Sequence, residues 1–177
     1  MQQKIGYKPV NCHKPFMNPI MRFIAVVEIP DNIEIIIPHE SIRISEREAD
    51  EFIVKRIELI DGDIVPLKFL ELYKCFDSKY KQYYPTAHIK KDFNKGIQFF
   101  LDKKDIKGVD ELPELEKQSI NNLYKLKQYV SECKIYTHHF SKNKYKEYTD
   151  DEIKVFKKIE LECESYLDSI DMIIDKK

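Results

Sequence analysis

Few residue groupings in this 177-residue chain could do chemistry. Cys12-His13 sets a thiol beside an imidazole, and His138-His139 sets two metal-ligating rings side by side. Neither spacing suits its chemistry, because catalytic and ligating pairs come together from distant positions while sequence neighbours point apart. The four cysteines, Cys12, Cys75, Cys133 and Cys163, form no CxxC pair. They read as reduced, buried thiols and not as a zinc site. Glu46, Glu48, Asp50 and Glu51 are an acidic run without the spacing of an oxygen-ligand loop, so they read as a solvated face. With four glycines in the whole chain, a P-loop or a Rossmann phosphate loop is excluded. No metal and no cofactor is expected.

Binding chemistry is better represented. Residues 68–104 carry nine Lys against four acidic residues, with aromatic rings interleaved. Tyr73, Lys79, Tyr80, Lys81, Tyr83, Tyr84, Lys90 and Lys91 are the candidates there, with Phe93 beyond them. Lysines can neutralise phosphates and rings can stack on exposed bases. Arginine, the usual base reader, occurs only at positions 22, 43, 47 and 56, so any nucleic-acid binding would be sequence-tolerant. The net charge of −1 argues against bulk electrostatic binding to nucleic acid.

The elements that must position these residues read as an α+β fold. Hydrophobic residues make up 42% and charged residues 34%, a globular balance. Residues 1–20, with Pro9, Pro15 and Pro19, read as extended or turning. Residues 22–29 are a β-branched apolar run that stops at Pro30, a largely buried strand. Residues 33–37 are a second strand candidate, with an edge that could pair with another chain. Residues 45–51 read as a short helix or a loop. A third strand over 52–60 ends at the turn signal Asp61-Gly62. Leu67, Phe69, Leu70 and Leu72 suit a short helix, and 80–85 a loop. A further strand follows at 96–101, then a helix start at 102–106. In the last third, Leu115, Ser119, Leu123, Leu126, Val130 and Cys133 recur at the helical period. The pattern breaks over 134–148, which predicts a linker of about fifteen residues. Thr149 to Glu152 then forms a capping box before the apolar stripe of Ile153, Phe156, Ile159, Cys163, Leu167, Ile170 and Ile174. The expected organisation is a β-rich core over 1–109 with a mixed or antiparallel sheet, covered by an amphipathic helix pair over 110–177. No segment approaches 18 continuous apolar residues, and the first ten residues lack an apolar run of signal-peptide length. An intracellular protein without a membrane partner is expected.

Three pieces of the front part carry a resemblance. They are Gly6-Tyr7-Lys8, then Ile24-Ala-Val-Val-Glu-Ile-Pro30 with the strand at 52–60, then Asn94-Lys-Gly-Ile-Gln-Phe-Phe-Leu101. Their order resembles an uncharacterised domain of giant viruses and large phages that often stands beside pentapeptide repeats. The resemblance spans roughly 5–107 and implies a viral source. The family's usual histidine is Gln98 here, and its Lys-Cys-Arg segment is missing around Arg43 to Arg47. Gly96 to Phe99 is also similar to the strand by which ADP-ribosyltransferases present a ring to nicotinamide, with Tyr7 and Lys8 standing for the strand that grips the dinucleotide. Gln98 can act neither as acid nor as base, and no late glutamate is singled out by spacing. The reading is therefore a viral or phage accessory protein that binds a macromolecule, first a protein partner and second RNA or DNA. A dinucleotide-using enzyme, or an inactive relative of one, is the third reading.

Overall fold

The computed structural model describes residues 4–13, 20–39, 43–93, 95–106, 112 and 114–177. Its longest strand is one that the prolines conceal. Lys4–His13 forms β1, which pairs along nearly its whole length with β2, Met21–Ile29. On its other side β1 meets β8, Ile97–Phe100, at Tyr7 and β5, Lys74–Phe76, at Asn11 to His13. Between these contacts Lys8, Pro9 and Val10 have a strand neighbour on one side only among the described residues. Pro9, which lacks an N–H, sits in that stretch.

The charged run expected as a short helix or loop is a strand instead. Glu46–Ala49 forms β3 and Glu51–Glu58 forms β4, separated by Asp50 alone. At this bend the chain changes neighbours: β3 pairs with β8, and β4 pairs with β2. Because β8 adjoins β1 and β1 adjoins β2, the sheet curls back on itself. A bulge at Lys55, opposite Val26 and Val27, adds twist to that curl. Every pairing is antiparallel. The short strands β6, Gln82–Tyr83, and β7, His88–Lys90, attach to β5 and β4. The loop expected over 80–85 thus contains a strand. Residues 33–37 are not a strand: only Ile36 bridges, to Glu48, between Pro30 and Pro38. Pro15, Pro19 and Asn94 lie outside the described residues.

Phe23 to Val27 are all buried, since both faces of β2 are covered. That explains an apolar run without alternation. One face carries Ile24, Phe100, Ile106 and Tyr7 beneath the 3₁₀ turn Lys103–Ile106. The other faces the main core and the C-terminal helices. α1, Leu67–Leu72, inserts Phe69 and Leu70 there.

α2 runs over Ile120–Lys142, well past the expected break. Thr137 hides the periodicity: it continues the buried stripe of Val130 and Cys133 towards Phe140, its hydroxyl donating to the carbonyl of Cys133 at 2.9 Å. The true connection is residues 143–149. Asn143, left-handed at φ 49°, spans it with side-chain bonds to both N–H and C=O of Tyr148. α3, Asp150–Lys176, starts at the expected box, with Thr149 Oγ1 accepting from Glu152 N and Glu152 Oε1 from Thr149 N. Leu123, Leu126 and Val130 of α2 and Phe156, Ile159, Cys163 and Ile170 of α3 join Val10, Phe23 and Ala25 in one core. Among the described residues no helix is long and apolar enough to cross a membrane.

Two contacts hold this arrangement and can be tested. A Cβ at Gly6 would lie 2.3 Å from Cδ2 of Phe99, so only glycine admits that ring. Gly6→Ala is expected to cost about 1–3 kcal/mol in urea unfolding, with partial recovery in Gly6→Ala/Phe99→Leu. The Asp61-Gly62 turn, with Gly62 at φ 97°, is tied to α3 by Lys158 Nζ, 2.6 Å from Asp61 Oδ2 and also bonded to Asp63. Lys158 holds the Asp61 carboxyl below its usual range, and Asp61 and then Asp63 raise the Lys158 ammonium. Asp61 therefore contributes stability above its unfolded pKa that is lost as pH falls through the folded value. Lys158 contributes below its unfolded pKa, and that is lost as pH rises through the folded value. Lys158→Ala should lower the melting temperature modestly at neutral pH, as befits exposed groups, and the gap should close at both acid and alkaline extremes.

Candidate functional site

Where β8 and β5 fork away from β1, they leave a cleft of about 810 Å³. Lys8 lines it from β1, Gln98 from β8, Glu46 and Glu48 from β3, and Asp77, Ser78, Lys79, Lys81, Asp92, Phe93, Lys95 and Gly96 form the remaining wall. Strand alternation explains the β3 contribution: residues two apart share a face, so Glu46 and Glu48 enter the cleft together. The other acidic residues of that run go elsewhere, Asp50 to Lys91 at 3.1 Å and Glu51 to His88 at 2.7 Å. Gln98 donates from Nε2 to Glu46 Oε1. Lys8 is 4% exposed, and its charge is engaged within the fold.

The loop 77–81 is built on Asp77. Its Oδ1 accepts from the backbone N–H of Lys79 and of Lys81, each at 2.9 Å, and its Oδ2 accepts from the Tyr83 hydroxyl at 2.9 Å. This turn leaves Tyr80 at the tip, 81% exposed and left-handed at φ 62°. The second loop carries Phe93, 97% exposed and left-handed at φ 55°. Lys81 joins the two loops through Asp92 at 3.0 Å. Two bare aromatic rings thus stand on backbone that β-carbon sterics disfavour, Phe93 on the cleft lining and Tyr80 at the tip of a loop that contributes to it.

The structure divides the residues singled out from the sequence. Lys8, Lys79, Lys81 and Gln98 line the cleft, while Tyr80, between Lys79 and Lys81 in sequence, is not among the lining residues. Tyr73 and Tyr83 are 2% and 1% exposed, so neither ring is free to stack on a base. Tyr73 stacks on Phe69 at 5.0 Å, and burial raises its hydroxyl pKa far above the ordinary value, with Cys133 adding to the shift. Tyr84 is partly buried against the core, Lys91 is paired with Asp50, and exposed Lys90 stands on β7. Tyr7 packs against Ile24, Phe100 and Ile106, with Lys103 Nζ 5.2 Å from its ring centre. Of the residues in the ADP-ribosyltransferase-like reading, Lys8 and Gln98 line the cleft and Tyr7 does not.

The pairs of sequence neighbours do diverge. The Cys12 thiol donates to the carbonyl of Tyr73 at 3.7 Å, while His13 packs its ring 4.8 Å from that of Phe76. Burial pushes the Cys12 thiol well up, and Cys75, its cross-strand partner, pushes it further, which removes it as a nucleophile. His138 bonds Glu160 at 2.7 Å, whereas the ring of His139 lies edge-on to Phe140. Among the described residues no three His, Cys, Asp or Glu side chains gather as a metal site.

From sequence, Glu46 and Glu48 read as surface charge, and Phe93 and Lys95 stand out only as part of the Lys- and ring-rich segment 68–104. Alternation over 46–49 was the available signal, masked by four consecutive residues with charged or small side chains. Asp77→Ala is expected to speed amide exchange at Lys79 and Lys81 by more than tenfold while β1 and β2 keep their protection. Tyr83→Phe should cost about 1–3 kcal/mol, because the buried Asp77 Oδ2 loses its donor.

No protein-family model matches the chain, and no solved structure matches it. The chain is similar to an uncharacterised protein of Acanthamoeba polyphaga mimivirus, 35% identical over 142 residues. The match takes in 70% of this chain and 40% of that protein, so the chain spans less than half the length of its viral relative.

Proposed function

We propose that the protein is a viral accessory module that binds a protein partner through the cleft between β8 and β5. The observation that carries this reading is the pairing of a charge-balanced lining with bare aromatic rings. Lys8, Lys79, Lys81 and Lys95 stand against Glu46, Glu48, Asp77 and Asp92. A lining of that kind carries no net charge and suits the mixed polar surface of a polypeptide. A phosphate backbone would instead call for a surplus of cations, and four carboxylates in the cleft oppose it. Exposed Tyr80 and Phe93 supply the aromatic anchors typical of protein interfaces. The similarity to a giant-virus protein supports a viral setting, and four buried cysteines that form no disulfide suit the reducing cytoplasm of a host cell.

The test is affinity capture with the tagged protein from the cell that makes it, with and without nuclease, alongside Lys79→Glu/Phe93→Ser. One protein is expected at near-stoichiometric yield, indifferent to nuclease and reduced at least about tenfold by the double variant. Recovery that collapses with nuclease, or that ignores the double variant, would remove the reading.

A further inference from the structure

We infer that the cleft takes an arginine side chain of its partner, the guanidinium lying between the Glu48 carboxylate and the Phe93 ring. The inference rests on the binding reading above and names what is recognised.

The charges lining the cleft are mostly spent. Asp77 is consumed by its own loop and by Tyr83. Asp92 is paired with Lys81, Glu46 accepts from Gln98, and Lys8 is buried and engaged. Glu48 differs. Its backbone is fixed on both sides, by Ile36 and by the register with Gln98, while its carboxylate has no hydrogen bond or ion pair among the described residues. It is a fixed negative charge facing a cleft. The remaining cations, Lys79 and Lys95, sit on long stems in exposed loops and stay hydrated without a partner.

Phe93 supplies the second contact. A phenylalanine that is 97% exposed, on left-handed backbone, contributes nothing to the core, and its ring is open to an incoming group at the cleft. A cation above that face is attracted by the ring quadrupole. Arginine answers both demands, since its planar guanidinium stacks on a ring while its N–H edge donates in parallel to a carboxylate. A lysine ammonium can satisfy only one of the two well.

The experiment is amide-shift NMR on the whole protein. The probes are N-acetylarginine methylamide, its lysine counterpart, the uncharged isostere N-acetylcitrulline methylamide, and inorganic phosphate. The arginine probe is expected to move the amides of Glu48, Gly96 and Gln98 saturably, with lysine weaker and citrulline inert. Glu48→Gln, which keeps shape and fold, should weaken the arginine response about tenfold, and Phe93→Ala should weaken it severalfold. Equal response to citrulline, an unchanged response in Glu48→Gln, shifts from phosphate alone, or no shift with arginine each overturns the inference. Any of these can occur while protein capture still depends on Lys79 and Phe93, so the binding reading and its arginine refinement fail separately.

Discussion

The close approach of Phe99 to Gly6 is the constraint on which the rest of the structure depends. A ring can lie against a strand at that distance only where no side chain stands. The contact draws β8 onto β1 and so completes the circuit that the bend at Asp50 begins. Two of the three motifs that carry the giant-virus resemblance, Gly6-Tyr7-Lys8 and Gly96 to Leu101, are the two sides of this one contact. Their presence together in this chain has a packing reason that is independent of any chemistry.

From Phe99 the influence passes on through rings. Phe52 meets Phe99 edge-on at 6.0 Å, and Tyr83 lies 6.2 Å from Phe52. The Tyr83 hydroxyl ends the series on Asp77, which shapes the loop that walls the cleft. Core packing and site geometry are thus one system: the aromatic residues that close the sheet also fix the turn that exposes Tyr80. The tyrosines of this segment divide accordingly, with Tyr73 and Tyr83 spent on the core and Tyr80 left exposed.

The helix pair plays a different part. It covers the open face of the sheet with Val130, Phe156, Ile159 and Ile170, and its ion pairs to the Asp61-Gly62 turn set its position. The four cysteines lie buried in this one core, where burial makes them small apolar residues and not reagents. No helix residue lines the cleft. The surface that would meet a partner belongs to the strands and their loops.

The sequence by itself determined the α+β class, strand β2 with its uninterrupted apolar run, the Asp61-Gly62 turn, β8 and the capping box that opens α3. Each is a local matter of periodicity, backbone freedom or a side chain reaching its own main chain. It concealed β1 behind Pro9 and α2's last turns behind Thr137, because a proline beside a gap in the sheet and a hydroxyl bonded back to Cys133 both look like breaks in one dimension. Only the tertiary structure decided which charges are free. Glu46 and Glu48 became cleft residues because β3 pairs with β8, and Lys81 and Lys91 were neutralised by carboxylates brought close by folding. Pairing across a curled sheet depends on contacts between distant residues, and no local pattern encodes it.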